Sequence, residues 1–316
     1  MSKPSVCCPI CVANDVTLLS KNLRRGVGTV YFCSDCDLGF LENRNFDAID
    51  YYKSDYRKSV SHKAEPSATN SEEIFTTYVN KQADRIDQVL PLINSETRFL
   101  ELGASAGQFI HHLLGKCASI SAVELDEDCK LALEKIPGVR VSGEPLSSSE
   151  FYGSVFDVIC AFQVLEHIPD PISFLKEIYL CLAPEGVAFV EVPNLYDPLL
   201  SVWNIEEYKD FYYHEDHLFY FSDRSLSLCA MEAGFDKTKI SFNYTQDYNL
   251  LNQIHWITTR QPQATCEIGL SPINVALSSS DISTWLSQKL IELDKEYRQK
   301  LSTSKVTSNI MMKLTK

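Results

Sequence analysis

The chain has 316 residues, enough for one sizeable domain with smaller attachments, and its 45% hydrophobic and 22% charged content is ordinary globular composition. With 29 basic against 42 acidic residues, the formal charge is −13, which disfavours a general nucleic-acid binder, whose surface must neutralise phosphates. No run of about 18 apolar residues occurs and the start is not leader-like, so neither a membrane span nor secretion is expected. Eleven cysteines then point to thiols and metal rather than disulfides, in a chain expected to be cytoplasmic.

Cys8-Pro-Ile-Cys11 and Cys33-Ser-Asp-Cys36 are two C-x-x-C knuckles, with Val27 to Cys33 alternating between them like a hairpin strand. Four thiolates at this spacing close a tetrahedral zinc site, and a filled shell leaves no open position for chemistry, so the metal is read as structural. A segment of this size buries too little core to fold alone, and metal supplies the deficit. Cys7 offers a competing register, and Arg24-Arg25 is the only basic cluster nearby. Residues 1–45 are assigned to this zinc-ribbon-like module, and 46–71 to a polar linker or lid with Tyr51, Tyr52 and Tyr56. A helix is expected from Ser71, with Ile74, Tyr78, Ile86, Val89 and Leu90 on its apolar side and Pro91 as its stop.

Arg98-Phe-Leu-Glu-Leu-Gly-Ala-Ser-Ala-Gly-Gln-Phe109 reads as an apolar strand, a turn at Gly103 and a helix opening at Gly107, with Phe109, Ile110, Leu113 and Leu114 at helical spacing. Strand, glycine turn, helix is how a parallel α/β sheet presents a ligand at the carboxyl ends of its strands. The G-x-x-x-G spacing is not the pyrophosphate turn, and Glu101 would repel a diphosphate while welcoming a cation.

Further strands follow at Ser119–Leu125, ending Val-Glu124-Leu125-Asp126, at Val139–Gly143 before Glu144, and at Phe156–Gln163, whose apolar middle suits a strand buried on both faces. Val-Leu-Glu-His167-Ile-Pro-Asp-Pro171 comes next, then a helix over 172–181 and a strand over 186–192. Leu195 to Phe221 is aromatic, acidic and histidine-bearing, including Phe211-Tyr-Tyr-His214-Glu-Asp216-His217. A helix from Ser222 to Gly234 and strands near Lys239–Tyr244 and Gln253–Thr259 are expected to finish the sheet. Residues 263–280 read as a loop. The amphipathic helix over 281–302 carries Trp285, Leu286, Leu290, Ile291 and Leu293 on its apolar side, for packing on the sheet or on a second subunit in a homodimer, and the remaining end is weakly patterned.

These landmarks together resemble a class I S-adenosylmethionine-dependent methyltransferase domain over residues 72–262, with 263–316 as a C-terminal loop and helix. The resemblance implies an α/β, Rossmann-like fold: a seven-stranded, mostly parallel sheet with an antiparallel final hairpin. It implies that Glu101, Gly103, Ala104, Gly107 and Phe109 line the cofactor, and that Glu124, beside Leu125, takes the ribose diol; Asp126 is the fallback or a helix cap. Gln163 would line the sulfonium end. Glu144 either lies at the adenine or is solvated. Tyr56 either bonds the amino-acid end or packs under the lid, and His167 either sits near methyl transfer or pins its turn.

Asp216-His217-Leu-Phe-Tyr-Phe-Ser222 resembles the acid-His-x-x-Tyr-Phe-Ser stretch of zinc-module methyltransferases acting on nucleotide-linked sugars. That implies His217 as general base, with Asp216 raising its basicity and His214 as a spare, or else a lid with structural histidines. The C-terminal domain of the sugar enzymes has no counterpart here, which favours oxygen over carbon as acceptor. The expected reagents are S-adenosylmethionine, leaving S-adenosylhomocysteine, and structural zinc; the expected partner is a small acceptor, a sugar nucleotide or polyol. The alternatives are an RNA or protein methyltransferase using the zinc module as reader, and a non-catalytic cofactor binder.

Overall fold

A computed structural model describes residues 6–24, 26–43, 70–265, 267–275 and 280–316. Arg25, Tyr56 and nearly all of the expected linker lie outside the described residues. The chain divides into two compact units of interleaved segments: one comprises Met1–Asn43, Pro193–Ser225 and Asn243–Met311, the other Arg44–Val192, Leu226–Phe242 and Met312–Lys316. The strands among the described residues are β1 (Val16–Leu23), β2 (Gly26–Cys33), β3 (Leu38–Leu41), β4 (Arg98–Leu102), β5 (Ser119–Val123), β6 (Val139–Ser142), β7 (Phe156–Phe162), β8 (Leu182–Pro193), β9 (Phe219–Tyr220), β10 (Ile240–Thr245) and β11 (Asn309–Thr315). The longer helices are α1 (Ser71–Tyr78), α2 (Ala83–Val89), α3 (Glu127–Leu133), α4 (Pro171–Cys181), α5 (Glu206–Tyr212), α6 (Asp223–Glu232), α7 (Leu250–Thr259) and α8 (Asp281–Thr303).

The large sheet has seven strands in the order β10-β11-β8-β7-β4-β5-β6. The pairs β4–β5, β5–β6, β4–β7 and β7–β8 are parallel, and β10 and β11 close the sheet as its antiparallel pair. Parallel strands are covered on both faces, which is why Phe99, Leu100, Ile159, Cys160 and Ala161 are all fully buried. The chain runs outward from β4 through β5 to β6, then returns to lay β7 on the other side of β4. That reversal opens a crevice at the carboxyl ends of β4 and β7, the Rossmann-like arrangement expected from the landmarks.

Four sequence expectations change. The single helix from Ser71 to Leu90 is two, broken at Val79–Lys81, and its cap is Asn70, whose side chain accepts from the Glu73 N–H. The helix after Gly107 is only a 3-10 turn, Ile110–Leu113: one four-residue bond, His111 to Gly107, gives way to three-residue bonds. The segment expected as the last strand, Gln253–Thr259, lies in α7; its aromatic and β-branched residues imitate a strand, but Asn249 caps a helix whose buried Asn252, Gln253 and Trp256 fall on one face. The sheet closes instead with β11, beyond the expected boundary at residue 262. This strand is buried nearly throughout, so it lacks the alternation that marks a half-exposed strand.

The helix α8 forms where expected, but its apolar side is not its buried side. Trp285, Leu286, Ile291 and Leu293 are exposed, while Ser287 and Leu301 are buried. Polar contacts seat it: Asp294 Oδ1 accepts the Leu250 N–H at 2.6 Å, and the Tyr297 hydroxyl accepts from Trp203 Nε1 at 3.0 Å. In the same unit, β1, β2, β3 and β9 make a four-stranded sheet, antiparallel throughout, with Val30, Leu38 and Phe40 fully buried.

Candidate active site

At the end of β4 the chain turns through two left-handed glycines, Gly103 at φ +71° and Gly107 at φ +80°, with Ser105 at φ +49° between them. A Cβ on Gly103 would lie 2.5 Å from Val164 Cγ2, and one on Gly107 would lie 2.9 Å from Leu133 Cδ2, so both positions require glycine. Glu124, at the end of β5, holds the turn: Oε2 accepts the Ser105 N–H at 2.6 Å and Oε1 accepts the Asp126 N–H at 2.8 Å. Asp126 is the cap of α3, its side chain accepting from the Cys129 N–H.

Glu101 points a carboxylate into this region with Oε2 buried and without a hydrogen-bond partner among the described residues. Burial pushes its carboxyl up to about 8; Arg85 pulls it back and Glu124 pushes it further. A buried, unpartnered acid is costly unless something completes it. A ligand with a cationic head and a vicinal diol fits Glu101 and Glu124, and a diphosphate does not. Ala104 is buried in the turn and Leu125 half-buried next to Glu124. Phe109, expected at the ligand, is buried, its ring packed 6.1 Å from Phe99 and 5.0 Å from Phe162. Glu144 is exposed.

Gln163 follows β7 in the left-handed region, at φ +57°. It is held there from β8: its N–H donates to the Glu191 carbonyl at 2.8 Å and its side chain to Glu191 Oε1 at 3.3 Å. Arg85, from α2, closes the arrangement with Nε and Nη2 on the same Glu191 oxygen at 3.0 and 2.5 Å, Nη1 on Gln82, and its guanidinium 4.6 Å over the Phe162 ring. Sequence reasoning missed Arg85 and Glu191. The signal was one acid in the otherwise apolar Ala188-Phe-Val-Glu-Val192 and one arginine beside the apolar face of a short helix. His167 is buried on its turn, with its N–H bonded to the Val164 carbonyl at 3.0 Å and Nε2 3.8 Å from Glu166 Oε1.

In the other unit the four expected cysteines meet. The ligand atoms of Cys8, Cys11, Cys33 and Cys36 all lie within 4.8 Å of one another, with Cys8–Cys36 at 3.5 Å and Cys11–Cys33 at 3.4 Å. Zinc–sulfur bonds of about 2.3 Å set tetrahedral sulfurs roughly 3.8 Å apart, so the cluster fits such an ion. The Cys36 hydrogen bond lowers the Cys8 thiol to about 5, and the Cys36 thiol is pushed well up in return; only a cation lets all four ionise together. Cys8 stands in the cluster, whereas Cys7 is exposed.

His214, Asp216 and His217 share one loop between α5 and β9. The two imidazoles are in contact, tilted by 48° with centroids 3.7 Å apart, and the buried Asp216 lies 3.7 Å from Nδ1 of His214. Tyr220 laces the loop, its hydroxyl accepting the His214 N–H at 2.8 Å and donating to the His214 carbonyl at 3.2 Å.

Curated relatives include the ubiquinone biosynthesis O-methyltransferases of Parvibaculum lavamentivorans, 30% identical over 105 residues (31% of this chain, 41% of the relative), and of Histophilus somni, 24% identical over 128 residues (37% and 50%). The chain thus spans half or less of the length of these relatives. Among solved structures, a SAM-dependent methyltransferase from Archaeoglobus fulgidus aligns with 16% identity and a TM-score of 0.46, covering 78% of this chain and 97% of that one. The family described as methyltransferase domain matches residues 75–240, just over half of the chain and the stretch that carries Arg85, Glu101, Gly103, Gly107, Glu124, Gln163 and Glu191. By that match, this protein belongs to the methyltransferase domain family.

Proposed function

We propose that the chain is an S-adenosylmethionine-dependent methyltransferase acting on a hydroxyl of a sugar or small polyol, carried on a nucleotide, with His217 as general base. When bound, the cofactor supplies a methyl carbon on a positively charged sulfur and departs as neutral S-adenosylhomocysteine. Glu101 binds the cationic amino-acid end, Glu124 the ribose diol, and Gln163 lines the sulfonium end. His217 would take the proton of the acceptor hydroxyl on an imidazole nitrogen, leaving the oxygen free to receive the methyl group that the cofactor would supply. Aligning donor and acceptor supplies most of the remaining rate. The cysteine cluster holds structural zinc, which crosslinks the module's two knuckles.

One observation carries the acceptor side: the Asp216–Ser222 stretch resembling sugar-nucleotide enzymes occurs beside a four-cysteine module, and its strand β9 is the fourth strand of that module's sheet. A second reading takes its cue from the relatives named ubiquinone biosynthesis O-methyltransferases: a phenolic hydroxyl on an aromatic acceptor. The test is transfer of labelled methyl from S-adenosylmethionine to a panel of nucleotide-linked sugars and substituted phenols, in the native chain and in His217→Ala. Label on a sugar nucleotide, lost in the variant, supports both acceptor and base. Label only on phenols replaces the acceptor class, and transfer unaffected by the substitution removes His217 as base.

A further inference from the structure

We propose that the cysteine module is the positioning element of the histidine loop, so that metal occupancy and Arg24 set the placement of His217. This rests on the reading of His217 as base.

The loop is clamped by the module on both sides. Before it, Arg24, at the β1–β2 turn, donates its backbone N–H to the Tyr213 carbonyl at 2.7 Å and its Nε to the Phe211 carbonyl at 2.6 Å. Its guanidinium also lies 4.1 Å over the Phe211 ring. After the loop, β9 is paired with β3, Phe219 opposite Phe40 and Tyr220 opposite Gly39, and the Leu41 N–H donates to the Leu218 carbonyl at 3.0 Å. Gly39 permits that approach, since a Cβ there would lie 3.0 Å from the Tyr220 Cβ. Finally, the Ser222 hydroxyl donates at 2.7 Å to the carbonyl of Asp37, the residue that follows Cys36.

Only His214 to His217 lies between the two clamps, and Tyr220, itself on β9, bonds both the N–H and the carbonyl of His214. A two-residue strand cannot hold its place alone; it depends on the sheet it joins. That sheet grows from β2 and β3, and the cluster sits at their junction: Cys33 ends β2 and Cys36 lies in the turn that leads into β3, so a bound metal ties the two strands together at that end. Releasing the metal therefore loosens β3, and with it β9 and the loop, while Glu101, on β4, and Gly103 and Glu124, just past the ends of β4 and β5, belong to the other unit. A loop misplaced by about 1 Å is enough to cost on the order of 10²-fold in rate.

The experiment compares the zinc-loaded full chain, the same chain stripped with a thiol-reactive mercurial and chelator, and metal-loaded Arg24→Ala. Three readouts are taken: hydrogen exchange of the 213–220 amides, cofactor Kd by calorimetry, and kcat. Stripping should raise exchange across 213–220 at least tenfold and lower kcat about 10²-fold, with Kd changed less than twofold. Arg24→Ala should do the same more weakly, lowering kcat about tenfold with zinc retained, and zinc re-addition should restore the stripped chain. Loop amides equally protected in all three samples overturn the proposal whatever His217→Ala does. Loosened amides with unchanged kcat in a chain insensitive to His217→Ala leave the mechanical link standing and remove the base. Should stripping unfold the whole chain, Arg24→Ala alone decides.

Discussion

The glycine turn and the histidine loop are supported in opposite ways. Around the turn, Gly103, Gly107, Ser105 and Glu124 belong to one strand–turn–strand stretch, and the bonds that shape it run between residues close in sequence. The histidine loop is held by Arg24, Asp37 and Leu41, contributed from the opposite part of the chain. A locally built site fails when one of its own residues changes. A site assembled over long sequence separation fails when its scaffold loosens, even with every reacting side chain intact.

The largest effect should come from His217→Ala, lowering kcat by about 10²–10⁴-fold, the usual worth of a positioned base, while leaving cofactor Kd unchanged. Loss of cofactor binding in that variant would erase the division of labour between the two regions. Next is Glu191→Gln, which leaves Arg85 without its carboxylate and loosens the hold on left-handed Gln163. Breaking a pair buried to this degree should cost roughly 3 kcal/mol of stability, seen in denaturant unfolding, and should weaken cofactor binding. Gly103→Ala should cost about 1–3 kcal/mol, since φ +71° and the 2.5 Å approach to Val164 penalise any Cβ. A variant as stable as the native chain, with native cofactor affinity, would show that the turn relaxes and is not the rigid cradle described here.

This contrast also explains what the sequence could be read for. The turn announced itself because its glycines and acids recur at fixed short spacing, and the knuckles did so because metal chemistry fixes theirs. Arg85 and Glu191 lie far apart in the chain, and their pairing leaves only an isolated charge in each of two apolar segments. The strand β11 was missed because full burial erases alternation, and Gln253–Thr259 was misread because β-branched residues are compatible with both periods when capping is overlooked. The histidine loop was found through resemblance, but its clamps were not, because a two-residue strand carries no pattern of its own.

The effect most specific to the locally built site is a pH dependence. Glu101 is surrounded by Arg85, Glu124 and Cys160, and burial holds its carboxyl up at about 8, far above its ordinary value of 4.5. The folded sheet therefore keeps a proton that the unfolded chain releases. The stability this contributes is present below pH 4.5 and is lost as pH rises through 8, and Glu166, also pushed up to about 8 by burial, acts in the same direction. A cationic cofactor reverses the preference at Glu101 by favouring the carboxylate. Below pH 8 its binding must expel a proton, so affinity should rise with pH, by at most about tenfold per unit, and level off above 8. Calorimetry at pH 6, 7 and 8 in two buffers of different ionisation enthalpy measures both the affinity and the proton released. Glu101→Gln should bind about 10–100-fold more weakly at pH 8, the worth of a charge-assisted bond, and should show a flatter profile. A native profile already flat from pH 6 to 8 would mean that Glu101 does not face the cofactor's positive charge, and the turn would then owe its selectivity to Glu124 alone.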